Sequence, residues 1–196
     1  MTRSPSELRT RLEGDVVGAA HALLGCFLTR GDRLARIVEV EAYRGRDDPG
    51  SHAFRGKTPR NLVMFGPAAR AYVYFTYGCH WMLNVTAEQE GEAGAVLVRA
   101  AQPIQGLDSM RRLRPKAQGD HGLLSGPGKL ASAFGITGLD NGRDLLDGSY
   151  ELQIIPGEPV DEVLTGKRIG LSPGRGDETP WRFVHAPFTK WISRPL

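Results

Sequence analysis

The chain has only two cysteines, Cys26 and Cys79, among 196 residues. That is too few for a disulfide framework or a cysteine-rich zinc site, and both are expected to be buried as small hydrophobes in a reducing compartment. No apolar run is long enough to span a bilayer, and the first residues, MTRSPSELRTRLEG, lack the apolar centre of a secretion signal. The paired H-x-E and P-C-x-x-C motifs of zinc base deaminases are absent, as are H-E-x-x-H, G-x-S-x-G and a helix-opening G-x-G-x-x-G. SGPGK at 125–129 lacks the glycine spacing and the hydroxyl residue of a nucleotide-binding P-loop. No repeat or low-complexity linker divides the chain. These absences predict a cytoplasmic protein with no membrane contact, no metal and no cofactor, whose chemistry rests on carboxylates, arginines and rings.

What is present suits one core. With 40% hydrophobic and 24% charged residues, the chain can bury one sizeable interior, and residues 1–196 are read as a single domain. The net charge of +3 and pI near 9.0 are only mildly basic, so the placement of the charges has to carry any argument for nucleic acid. The basic residues are skewed towards arginine, whose planar fork makes parallel hydrogen bonds to phosphate. A phosphate-rich partner follows as an expectation.

Asp15 is placed to cap a buried helix over residues 15–25, with Gly25 as its exit and His21 as a core histidine. CFLTRGDRLARIVEVEAY reads as a first hairpin turning at Arg30, Gly31 and Asp32. Residues 44–69 read as an ordered surface loop, and AYVYFTYGCHWMLNVTA as a second hairpin with Tyr77, Gly78, Cys79 and His80 at its tip. AGAVLVRAA is a strand ending near Arg99. GLDSMRRLR and the segment after SGPGK are short helices, while YELQIIP, KRIGL and WRFVH are later strands. The order is mixed α and β, too irregular for a doubly wound parallel sheet.

Period-two alternation along ARIVEVEAY sends Glu39, Glu41 and Tyr43 to one face, roughly 6–7 Å apart. Two glutamates on one face also describe a solvated exterior. In the following loop, His52 precedes Arg55, Lys57 and Arg60, a set able to stack on bases and reach phosphates or simply to be solvated. Tyr72 and Tyr74 share a face of the second hairpin, with Tyr72 expected in the core. Arg99 on an apolar strand demands an anion, whether a carboxylate or a phosphate. Lys129 and nearby backbone N–H groups at a helix start could meet a phosphate.

VEVEAYRGRDDPGSH, KTPRNLVMFGP, AYVYFTYGCHWMLNV, VLVRAAQPIQGLDSMRRLR and LLSGPGKL resemble, in order and spacing, the alkyladenine DNA glycosylases, also called 3-methyladenine or N-methylpurine DNA glycosylases. The resemblance covers most of the chain. It implies a mixed α+β domain with a curved, largely antiparallel sheet flanked by helices and a protruding hairpin that inserts into DNA. It also implies that Glu41 is the general base that activates water, with Arg99 helping to hold both. Tyr43, His52 and Tyr74 become the base-stacking rings, the backbone at His52 and Ala53 the reader of the base edge, and Asn84 the residue that crowds guanine's 2-amino group. Tyr77 becomes the wedge into the duplex. Arg55, Lys57, Thr58, Arg60, Cys79, His80 and Lys129 become candidates for backbone contact.

The implied activity is monofunctional excision of alkylated or deaminated purines of the 3-methyladenine, 7-methylguanine, hypoxanthine and ethenoadenine class, leaving an abasic site. A cationic purine held between rings gains about 0.5–2 kcal/mol over a neutral one. The implied partner is damaged double-stranded DNA, bound by a monomer in the cytoplasm at the bacterial nucleoid, or in the nucleus of a eukaryote. The alternatives are a non-catalytic damage sensor and an N-glycosidase for free nucleosides. Two features depart from vertebrate members: the loop between His52 and Thr58 is one residue shorter, and Cys79 and His80 replace bulkier residues. The chain also lacks their long amino-terminal extension, as a compact bacterial form would.

Overall fold

The protein, seen in a computed structural model that describes residues 2–76 and 78–196, begins with two short helices that the sequence caps by itself. Ser4 and Glu7 form a reciprocal capping box at the start of α1 (Pro5–Leu12), an element the sequence reading missed. Asp15 caps α2 (Val16–Leu23) as expected, its Oδ1 accepting from the N–H groups of Val17 and Gly18 at 3.0 Å. Gly25, at φ +79°, turns the chain out of the helix. His21, however, is exposed rather than in the core, because its position on α2 faces away from the sheet side occupied by Ala20 and Leu23.

The first hairpin forms as read, β1 (Phe27–Arg30) and β2 (Arg33–Tyr43) pairing around Gly31 and Asp32. β3 (Ala71–Thr76) and β4 (His80–Ala87) form the second, while Tyr77, the expected wedge, lies outside the described residues. β5 (Gly94–Gln105) runs six residues past Arg99 instead of ending there. All strand pairs are antiparallel, in the order β3-β4-β5-β2-β1-β6, with β6 at Gln153–Ile155. β2 is the pivot. One edge pairs with β5 throughout, whereas the other pairs first with β1 and then, at Glu39–Glu41, with β8 (Arg182–His185). β7 (Val163–Gly166) pairs with β8; the expected strand KRIGL begins where β7 stops and is irregular. The sheet curls into an open half-barrel, and the mixed α+β, largely antiparallel architecture is that of one compact domain.

Alternation divides the sheet into two faces. Ala71, Val73, Leu83, Val85, Val96 and Val98 join the main core, packed against α1, α2 and α5 (Pro127–Phe134). The shorter helices α3 (Leu107–Leu113) and α4 (His121–Leu124) border the same side. The other face carries Glu41, Tyr43, Tyr72, Tyr74, Asn84 and Arg99. Ala53 and Met64 from the 44–69 loop pack there on Tyr72 and Ala95. That loop is ordered because buried Asn61 bridges it: its amide donates to the carbonyls of His52 and Gly56, both at 2.9 Å, and its Oδ1 accepts from the Thr58 N–H at 2.7 Å.

Candidate active site

The pairing of β2 with β5 slips three times, at Ile104 near the far end of β5 and, beside the site, at Val38 and at Arg99, each of which lies between successive partner pairs. Such bulges add a residue on one strand and re-aim its side chain. Here Arg99 is the extra residue on β5, and its guanidinium points at the carboxylates of β2. Nη1 donates to Glu41 Oε2 at 3.1 Å, and Nε lies 3.4 Å from Glu39 Oε1. Because the slip at Val38 precedes Glu39, the alternation of Glu39, Glu41 and Tyr43 survives. Neither glutamate belongs to a solvated exterior, since both are 0% exposed.

Glu41 has three hydrogen-bonding partners. The Tyr43 hydroxyl donates to Oε2 at 2.8 Å, Arg99 donates to the same oxygen, and the Ile169 N–H donates to Oε1 at 2.7 Å. All three partners line a cavity of about 350 Å³, whereas Glu41 sits directly behind them. Burial pushes the Glu41 carboxyl above the ordinary glutamate range, and Arg99, the Ile169 amide and Tyr43 only partly offset it. Arg99 favours the ionised form, but desolvation is the larger effect. A carboxylate raised in this way is the stronger base.

His52, Tyr72, Tyr74 and Asn84 line the same cavity as Tyr43. The rings of His52 and Tyr74 are 4.6 Å apart, centroid to centroid, at 70°. His52 Nδ1 lies 2.8 Å from the Tyr72 hydroxyl, which ties the loop to the sheet. Burial, then the charge of Arg60, hold the imidazole below the ordinary histidine range, so it is neutral at pH 7. Asn84 points into the cavity wall while donating to the Tyr72 carbonyl at 3.0 Å. Among the described residues, no group of three or more His, Cys, Asp or Glu is arranged to hold a metal.

The remaining expected residues divide. Ala53 is fully buried beneath the loop, its N–H donated to Ser51 Oγ, and is not in the cavity wall. Arg55, Lys57, Thr58 and Arg60 are exposed and none is in the cavity lining; Arg60 alone of them is tied to the rim, 5.4 Å above the Tyr74 ring. Cys26 is buried, but Cys79 is exposed at the hairpin tip, a correction that follows from its place in a turn with no core to enter. His80 leans on Gly128 of α5, where any Cβ would approach its ring to 2.9 Å. The glycine in SGPGK thus makes room for the hairpin, and Lys129 donates to Ser125 at 3.1 Å.

Sequence reasoning missed the support behind Tyr43. Arg168 makes a two-pronged ion pair with Asp48 at 2.6 and 2.7 Å, and its guanidinium lies 4.8 Å from the Tyr43 ring centroid. It also donates to the carbonyls of Ala42 and Gly176. This buried pair joins the 44–69 loop to the irregular 167–180 segment and so delivers Ile169 to Glu41. An acidic residue in a Gly-rich loop and an arginine in an apparent strand carry no sequence signal of their pairing.

A family model described as methylpurine-DNA glycosylase matches residues 10–187, nearly the whole chain, and sets this arrangement among the DNA glycosylases. The chain belongs to the methylpurine-DNA glycosylase family, and is accordingly a hydrolase of base-excision repair whose substrate is DNA. It is 51% identical to a protein of Chlorobaculum parvum over 153 residues, covering 78% of this chain and 72% of the relative. It is 43% identical over 180 residues to one of Burkholderia lata, covering 90% and 86%. A third relative, from Carboxydothermus hydrogenoformans, is 43% identical over 186 residues, covering 92% and 94%. All three bear the provisional name 3-methyladenine DNA glycosylase.

Proposed function

We propose that the chain acts as a monomer on duplex DNA, extrudes an alkylated or deaminated purine into the cavity between Tyr43 and the His52–Tyr74 pair, and hydrolyses its glycosidic bond. The observation that carries this reading is Glu41, a sealed carboxylate whose three partners all belong to the wall of a ring-lined cavity. Its volume falls in the range, roughly 300–1,000 Å³, of small-molecule sites.

In this reading the following chemistry is assigned to these positions. A water held by Arg99 at the cavity floor, entering between the partners of Glu41 to reach its carboxylate, attacks C1′; its oxygen forms the new bond and its proton passes to Glu41. The bond from C1′ to the purine nitrogen breaks, and the base leaves with the electron pair. A ring-alkylated purine departs neutral and needs no acid, whereas hypoxanthine or ethenoadenine must take up a proton as it leaves. Neutral His52 lets a cationic base stack without like-charge repulsion. Asn84 rejects undamaged guanine by crowding its 2-amino group, and Tyr77 fills the gap left in the duplex. The protein would work where chromosomal DNA is, in the cytoplasm of a bacterium.

The test is base release from duplexes that each carry one lesion of this class, beside the matching free nucleosides. Excision from duplexes, with an intact strand and no adduct trapped by borohydride, is the expected result. Release from nucleosides alone, or binding without release, would overturn it.

A further inference from the structure

Of the described wall residues that neither the sequence reading nor the reaction above employs, only Arg194 carries a charge. Arg194 lines it, yet is exposed, so it stands at the rim while Arg99 lies sealed at the floor. No acceptor among the described residues engages its guanidinium.

Its backbone, in contrast, is held at successive residues despite having no regular secondary structure. The Ile192 carbonyl lies 3.2 Å from His121 Nε2. Ser193 donates to Glu39 twice, through its N–H at 2.6 Å and its hydroxyl at 2.8 Å, and the same hydroxyl accepts from Arg99. Arg182, itself bonded to Glu39 at 2.7 Å, donates to the carbonyls of Arg194 and Pro195. The Leu196 side chain fills the space over Gly166 on β7, where a Cβ would lie 2.7 Å from it. Glu39 is therefore the hub that fastens the 192–196 segment to the strand that carries Glu41. What this anchoring presents to solvent is a single unpaired guanidinium, fixed beside the entrance.

We propose that Arg194 binds a phosphodiester next to the extruded nucleotide, and so holds the sugar over Glu41. This rests on the base-extrusion reading above. A planar fork with two free edges matches the paired oxygens of a phosphodiester, and an extruded nucleotide brings its own flanking phosphates to the cavity rim. Arg194 is a binding residue that does not touch the reacting atoms, and Glu39 and Ser193 are positioning residues for it.

The experiment compares the parent with Arg194→Ala and Arg194→Lys, measuring lesion-duplex affinity across salt and single-turnover excision at saturating enzyme. Arg194→Ala should weaken binding roughly tenfold and lower the slope of log K against log salt by about 0.9, the signature of one lost phosphate contact. Its saturated single-turnover excision rate should fall as well, because the sugar is no longer held over Glu41, while its melting temperature should match the parent's. Arg194→Lys should recover the slope and part of the affinity. An unchanged slope in Arg194→Ala, or an Arg194→Lys protein no better than it, overturns the phosphate contact while leaving the excision reading in place. A parent that excises no lesion removes both.

Discussion

At the floor of the cavity Glu39 and Glu41 are sealed from solvent, Arg99 is nearly so, and every one is engaged by hydrogen bonds, whereas at its rim Arg60 and Arg194 stand in solvent on a loop and an irregular segment. The two regions show how one molecule separates chemistry from recognition. Burial makes each floor charge costly to strand, so its partners are many and its geometry is fixed. Solvent makes each rim charge inexpensive to leave unpaired, so it remains available to a polyanion. The floor should therefore fail in large steps and the rim in small ones.

The largest step is expected at Glu41. Glu41→Gln keeps the size and an acceptor for Ile169 but cannot take a proton, so single-turnover excision should fall by about 10² to 10⁴ while lesion affinity stays near the parent's. The parent's rate should also carry an acid limb. Because burial raises the Glu41 carboxyl above the ordinary glutamate value, activity should be full above that raised value and decline as pH falls through it. The decline should begin at higher pH than a solvated glutamate would give. A Glu41→Gln protein that cleaves normally, or a limb in the ordinary carboxylate range, would show that the floor does not act through this group.

Next in size is the support behind Tyr43. Asp48→Ala leaves the Arg168 guanidinium buried without its carboxylate, and removing one partner of such a pair costs about 3–5 kcal/mol. Denaturant unfolding should show most of that loss. If stability falls by less than about 1 kcal/mol, the pair belongs with the rim in its energetics and the contrast loses one of its sealed members.

A smaller effect is expected where floor and rim meet. Tyr74 packs on His52 at the rim and shares the cavity with Tyr43 above the floor. Tyr74→Leu should reduce the preference for a cationic lesion such as 7-methylguanine over neutral hypoxanthine by about 0.5–2 kcal/mol, roughly 2- to 30-fold. Equal losses on both lesions would assign Tyr74 to shape alone.

How far these regions were legible follows from their physics. The site face of the sheet was readable because alternation is local: Glu41, Tyr43, Tyr72 and Tyr74 point where a period of two sends them. Asp15 as a helix cap and Gly25 as an exit are local as well. Arg99 was readable as a charge in need of an anion, but the bulge that aims it is a property of two strands together. Arg168 and Asp48 are 120 residues apart in sequence, and the link from Glu39 to Ser193 spans 154, so no window along the chain contains either. KRIGL misled because its apolar residues serve a cavity wall and not a strand face. Cys79 misled because a residue type's usual burial says nothing of a hairpin tip.

The smallest effect is expected at Arg60, and it probes the rim from two sides. Its guanidinium lies 5.4 Å above the Tyr74 ring, and its charge acts with burial to hold His52 below the ordinary histidine range. Arg60→Ala should lower the salt slope of DNA binding by about 0.9 if the side chain reaches a phosphate. It should also let the His52 pKa move up towards its ordinary value, because one of the two effects depressing it is gone. His52 would then gain its proton at higher pH in the variant, and binding of a cationic lesion would begin to weaken at correspondingly higher pH. A histidine titration followed by NMR separates these effects. A slope change without a pKa change would make Arg60 a phosphate contact only, while a pKa change without a slope change would make it a neighbour that keeps the stacking ring neutral. No change in either would leave Arg60 out of the rim's function and confine recognition there to the remaining cations.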